Sequence, residues 1–416
     1  MAIVRPFKGV RPKEDLVEKV ASLPYDVMNR EEAAAMAEGN PHSFLHVVRP
    51  EMDVPAEMSM YDPEVYKTAR KNLDKMQADG ILVQDDAPKY YIYRQLMNGR
   101  VQTGLVGCTS IDEYMNNTIK KHEFTRPQKE QDRINNFDYC DANTAPIFLT
   151  YRKNDEINTI VNDWIKFHMP VYNFISDDEI THIVWSIDDV ALIERIQALF
   201  ASIDYLYIAD GHHRSASSVK VGMKRREEFP NFTGDEEFNF FMSVIFPDED
   251  LFIMDYNRVV MDLNGNTTEE YMAKVGEKFE IVEADGSEPY RPMAKKTFGM
   301  LLDGKWFVLT AKDGIWNEED PVGRLDASIL QDNLLAPILG IDNPRTNDRI
   351  GFVGGIRGLK ELERRCETDM KVAFSMYPTT MEDLINVADA GEVMPPKSTW
   401  FEPKLRSGLF THKLGE

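Results

Sequence analysis

The chain has 416 residues, of which 43% are apolar and 28% charged, a composition that supports two or three globular domains. A formal net charge of -22 opposes sequence-independent binding of DNA or RNA, which depends on Lys and Arg neutralising phosphates. Cys108, Cys140 and Cys366 are scattered and lack metal-type spacing, the start has no apolar leader, and no run of about 18 apolar residues occurs, so a cytoplasmic protein with no disulfide framework and no membrane span is expected.

The first block, 1–117, opens on Pro- and Gly-punctuated extended chain and continues into an amphipathic helix over 13–23 that Pro24-Tyr25-Asp26-Val27 ends. Asn29 is placed to cap a helix over 30–38, with Glu31 and Glu32 where the helix dipole favours them. Residues 40–50 read as a turn into a strand, which would set His42 and His46 on one face. Residues 61–79 form a helix stopped at Gly80, and strands 89–97 and 101–110 flank Asn98-Gly99, a strong short hairpin signal.

The second block, 118–250, starts with a dense polar stretch over 119–133, where Pro127 limits any helix to starting about there. Strands over 146–151 and 180–186 alternate with helices over 157–167 and 190–202, and 238–246 is apolar and β-rich. The third block, 251–416, carries a helix over 268–278, strands over 298–302 and 305–310, and a helix over 325–339 closed by Gly340. It continues with a strand over 349–355, a helix over 359–366, a strand over 372–376 and a helix over 381–391. The tail, 402–409, is extended and basic, following a second cation cluster around Lys397, Ser398 and Thr399. The fold class is α/β (α+β) with a mixed sheet.

The stretch with most chemistry is 203–216. An apolar, aromatic run reads as a buried strand, Asp210-Gly211 breaks it, and 215–219 reads as the start of a helix. Free N–H groups at a helix N-terminus make a ready anion site. Arg214 can grip phosphate oxygens with two N–H groups, while His212 and His213 offer donors whose charge depends on pH. A carboxylate beside a phosphate must face Mg²⁺ or take a proton, so Asp210 is a candidate catalytic group and Gly211, His212, His213, Arg214 and Ser215 are candidate phosphate ligands. Lys121 and His122 precede Glu123, a second candidate base, and Lys8, Arg11, Lys404 and Arg406 are scarce cations that an acidic chain would place where anions bind. No Walker, G-x-S-x-G or strand-linked GxGxxG pattern is present.

The Asp210-Gly211-His212-His213-Arg214 box after an apolar strand resembles the phosphate-binding box of the ParB/sulfiredoxin superfamily. Over nearly its full length the chain resembles a bacterial family of unknown-function proteins often labelled ParB-like. The matching segments include Arg5-Pro6-Phe7-Lys8-Gly9-Val10-Arg11-Pro12, Pro24-Tyr25-Asp26-Val27, Lys121-His122-Glu123-Phe124-Thr125, Tyr256-Asn257-Arg258-Val259-Val260, Phe352-Val353-Gly354-Gly355 and the stretch 394–409. The resemblance implies a ParB/sulfiredoxin-like core with N- and C-terminal additions. A related branch holds free-serine kinases, which implies phosphoryl transfer to or from L-serine, a nucleotide or pyrophosphate as donor, Mg²⁺ across the phosphates, Glu123 as base and Asp210 as its partner. The alternatives are a ParB-like nucleotide-binding regulator on DNA, and a phosphatase or nuclease using the same pocket.

Overall fold

Asn98 and Gly99 both have positive φ, 51° and 78°, and Met97 lies opposite Arg100 in the antiparallel pairing of Tyr90–Met97 with Arg100–Ser110. That is the two-residue type I′ turn whose twist matches the flanking strands. In the computed structural model, which describes residues 1–286 and 288–415, this hairpin sits within a nine-stranded sheet. From one edge the strands run Ile119–Lys120, Leu206–Asp210, Ile147–Tyr151, Phe240–Pro247, Arg100–Ser110, Tyr90–Met97, Thr181–Ile187 and Tyr172–Ile175, with Val4–Arg5 paired to Arg100–Ser110. Leu206–Asp210 is parallel to Ile119–Lys120, and Phe240–Pro247 to Ile147–Tyr151; the other pairs are antiparallel. The α/β class with a mixed sheet is what the sequence predicts.

Alternation along the hairpin divides its two faces. Tyr90, Ile92 and Leu105 join one buried core with Ile157, Ile193, Ile196 and Phe200 of the helices Asp155–Phe167 and Val190–Phe200. Tyr91, Tyr93 and Gln95 face the other way and meet the C-terminal tail. The Phe410 ring is 5.1 Å from that of Tyr91, and Gln95 Nε2 donates to the Lys404 carbonyl at 2.9 Å. Burial of several aromatic side chains, each worth roughly 2–3 kcal/mol, holds the tail on the sheet.

The chain divides into two compact units, Met1–Leu251 with the chain from Pro403 onward, and Phe252–Glu402. The boundary expected at 117/118 runs through the nine-stranded sheet, and the tail of the expected third block belongs to the first unit. The second unit carries a six-stranded antiparallel sheet in the order Phe279–Glu283, Lys305–Ala311, Thr297–Leu302, Val372–Met376, Tyr256–Val260, Ile350–Gly354. Its core includes Val260, Phe298, Met300 and Phe374 with Tyr271 and Leu334.

Three local expectations are corrected. The segment 13–23 forms only a 3₁₀ turn, Glu14–Leu16, and a single helical turn, Val17–Val20, because Ser22 leaves the helix to exchange backbone hydrogen bonds with Ser407 at 3.0 and 2.9 Å. Within 40–50 the chain is helical at Leu45–Val48, not extended. Val47 and Val48 suggest a strand by propensity, but with Leu45, Val47 and Val48 all buried this single turn shows no 3.6-residue period, and Ser43 Oγ accepts from the Leu45 N–H at 3.3 Å. The helix expected over 325–339 is α only for Asp326–Leu330 and becomes a π turn at Gln331–Leu335 before Gly340 turns at φ 66°. Among the described residues no helix is long and apolar enough to cross a membrane.

Candidate functional site

The Leu206–Asp210 strand is anchored by Leu206 and Ile208 in the sheet core, and its pairing with Ile147–Tyr151 slips between Ile208 and Asp210. The slip delivers Asp210 to the strand end. Gly211 follows at φ 100°, in the left-handed region where a side chain is strained, and an added Cβ would lie 3.1 Å from Arg214 Nε. The helix His212–Glu228 then begins without a side-chain cap. Its first turn therefore presents backbone donors of the kind that hold anions.

Lys404 Nζ donates to Asp210 Oδ2 at 2.9 Å, and Arg214 Nη2 is 3.8 Å from Oδ1. Burial pushes the Asp210 carboxyl upward, but the charges of Lys404 and Arg214 outweigh it and hold the group below the usual carboxylate range. Asp210 is thus a persistent anion and a weak base. Its side chain keeps 27% exposure, so the bend has a route from solvent. Arg214 is buried, donates to the Pro146 carbonyl, and leaves Nε without a partner.

Two hydrogen bonds settle the histidine tautomers. The His122 N–H donates to His212 Nε2 at 3.3 Å, and the Arg126 N–H donates to His213 Nε2 at 2.9 Å. A backbone N–H can only donate, so both Nε2 atoms accept and each neutral ring carries its proton on Nδ1. His212 Nδ1 faces Glu123 Oε2 at 3.7 Å. Burial lowers the pKa of His212 and of His213, with the neighbouring His122 and Lys129 adding to the effect. The positive charge at the bend therefore comes from Arg214 and Lys404, while both histidines stay neutral.

His122 packs edge-to-face on His212 with ring centroids 4.4 Å apart, and both its ring nitrogens are buried without partners. Burial pushes its pKa down to about 4. An unfolded His titrates near 6.5, so between about pH 6.5 and 4 the unfolded chain binds the proton and the folded chain does not. This contribution is complete above pH 6.5 and is lost as pH falls toward 4, on the order of 3 kcal/mol in all. Thermal unfolding at pH 7, 6 and 5 should show a falling midpoint, and His122→Phe should fall less steeply. An unchanged slope in that variant would place the acid sensitivity at other groups, such as the buried His182.

The remaining sequence candidates separate into two sets. Glu123, half exposed, and Lys121 lie with the bend, although Lys121 Nζ is turned to the Tyr114 carbonyl at 2.9 Å and over the Tyr114 ring at 4.2 Å. Ser215 is fully buried and its hydroxyl donates to the Gly211 carbonyl at 3.1 Å, which fixes the turn. Arg11 is engaged elsewhere, with Asp85 at 2.7 and 2.8 Å and the Tyr172 hydroxyl at 2.8 Å. Arg406 is buried against Asp178, Ser176 and His182. Lys8 is exposed, and its charge acts on Glu237. His46 bonds Asp53 at 2.9 Å. Among the described residues no group of three or more His, Cys, Asp or Glu side chains is arranged to hold a metal ion.

Three contributors escaped the sequence reading. Tyr25 feels the charge of Arg214, Asp26 acts on His213, and the Pro146 carbonyl takes the Arg214 guanidinium. Tyr25 and Asp26 lie in the Pro24-Tyr25-Asp26-Val27 segment, whose unusual composition was the available signal.

These features define an α/β protein whose mixed sheet delivers a carboxylate to an uncapped helix N-terminus, where Arg214 of that helix and Lys404 of the tail meet it. The chain belongs to the family described as protein of unknown function DUF1015, whose model matches residues 4–328. No functionally curated protein matches it. Among solved structures it is similar to a free serine kinase in complex with AMP, at 16% identity over 70% of this chain and 85% of that one, with a TM-score of 0.33. It is also similar to SbnI from Staphylococcus aureus, at 12% identity over 73% and 85% with a TM-score of 0.39. A conserved hypothetical protein from Pyrococcus furiosus matches at 16% identity over 72% and 91%, with a TM-score of 0.33.

Proposed function

We propose that the chain is a phosphotransferase acting on a small hydroxyl metabolite, with a nucleotide or pyrophosphate as donor. The observation that carries the reading is the Asp210 carboxylate set between Lys404 and Arg214 at the mouth of the uncapped helix His212–Glu228. The helix amides, Arg214 and Lys404 would bind the phosphate oxygens and neutralise charge that builds on them during transfer. Asp210, kept ionised by its two cations, is poorly suited to take a proton. That role falls to Glu123, which is half exposed beside His212. The acceptor oxygen attacks the terminal phosphorus, the bond to the bridging oxygen breaks, and the hydroxyl proton passes to the Glu123 carboxylate.

Asp210 is a hard oxygen donor of the kind Mg²⁺ takes alongside phosphate oxygens. Bound there, Mg²⁺ would neutralise phosphate charge. Placement in the ParB/sulfiredoxin superfamily, and L-serine as the acceptor, rest on the motif resemblance of the box and of the Lys121-His122-Glu123 segment. The test is incubation with L-serine, Mg²⁺ and, in turn, ATP, ADP and pyrophosphate. Phosphoserine is expected with at least one donor; its absence with all of them removes L-serine phosphorylation.

A further inference from the structure

Arg258 occupies the middle of the Tyr256–Val260 strand in the second unit, on the face that bears Val260 and the apolar core. Its strand neighbours directly opposite are Phe352 and Phe374. The residue is 4% exposed. Its guanidinium donates to the Tyr256 carbonyl and stands 5.6 Å from the Phe352 ring, and among the described residues no carboxylate pairs with it. A buried guanidinium with no counter-ion costs several kcal/mol unless another anion compensates it.

Arg258 lines a narrow recess, partly open to solvent, whose enclosed volume is only about 20 Å³ and whose lining lies wholly within this unit. Arg324 lines it too, with its Nε buried and unpartnered. The carboxylates on its wall are committed. Asp383 accepts from Lys295 at 2.6 and 2.7 Å, and Asp326 accepts the Lys296 N–H at 3.0 and 3.2 Å. Lys397, from the second cation cluster of the sequence, stands over the Tyr256 ring at 5.5 Å, and Ser398 lines the recess. Among the described residues the recess thus holds two guanidiniums, Arg258 and Arg324, that no carboxylate pairs with, which in a protein of net charge -22 marks it as a place for an anion.

We infer that this recess is a binding site for a small oxyanion, either a phosphoryl or a carboxylate group, held by Arg258 and Arg324. Both groups offer the planar or tetrahedral oxygens that a guanidinium engages with two parallel N–H donors. The inference is independent of the Asp210 bend.

Equilibrium dialysis of the full chain with radiolabelled inorganic phosphate, and separately with radiolabelled acetate, tests it. The wild type should bind one equivalent that disappears in Arg258→Met, beyond any phosphate held at the Asp210 bend, which Arg258→Met leaves in place, and the effective probe identifies the oxyanion. Arg324→Gln should weaken that equivalent at least tenfold. If Arg258→Met does not fold by circular dichroism, Arg324→Gln decides. Unchanged binding of both probes in the folded variants overturns the inference, whatever the serine assay gives.

Discussion

Asp210→Asn should lower phosphoryl transfer by about 10²–10⁴-fold while the protein stays folded. Asn keeps the shape of the side chain and can still accept from Lys404, whose ammonium is 2.9 Å away. What is lost is the negative charge that sets how Lys404 and Arg214 are shared between the carboxylate and an incoming phosphate. Removing an anion from beside a bound anion should also leave inorganic phosphate affinity the same or higher. A fall in turnover with no fall in phosphate affinity is therefore the diagnostic pair. Full turnover in the variant would take Asp210 out of the mechanism, and a matched loss of phosphate binding would mean that the bend had collapsed.

The largest effect on stability is expected at Asp85. It accepts from Arg11 Nε and Nη2 at 2.7 and 2.8 Å and from the Tyr91 hydroxyl, and Lys89 Nζ is 3.7 Å away. Arg11 and Asp85 side chains are only 17% and 11% exposed. Asp85→Ala strands a largely buried guanidinium and should cost about 3–5 kcal/mol, the loss typical of breaking rather than replacing a buried pair. The double variant Arg11→Met with Asp85→Ala should recover most of that, and urea denaturation of the wild type, the two single variants and the double variant measures the cycle. Activity per folded molecule should not change. A loss of turnover in a stably folded Arg11→Met would return Arg11 to the set of phosphate ligands.

The two residues show why part of the site was legible and part was not. The Asp210 bend could be read because strand, glycine turn and helix are consecutive in the chain, and each has its own local signature. The His212–Glu228 helix and the Asn98-Gly99 turn were recoverable for the same reason. Arg11 was not, because its fate depends on Asp85, 74 residues away, and nothing local in either segment announces the pairing. Lys404 and Arg406 are equivalent cations in the sequence, two positions apart. The fold sends one to Asp210 and the other to Asp178. The Leu45–Val48 turn failed differently: its β-branched residues satisfy strand propensity, and only burial against neighbours makes it helical.

The tail that covers the Tyr91 and Tyr93 face has a consequence for biosynthesis. Lys404 follows Asp210 by 194 residues, with the whole of the second unit translated between them. At about 5–20 residues per second the ribosome needs roughly 10 to 40 s to cover that gap. Throughout that interval a nascent chain holds a finished bend with one of its two cations missing and a bare aromatic surface. Chaperone engagement during synthesis should therefore persist until the segment from Pro403 onward emerges, and chains truncated before Pro403 should fold in the middle yet stay sticky and catalytically silent.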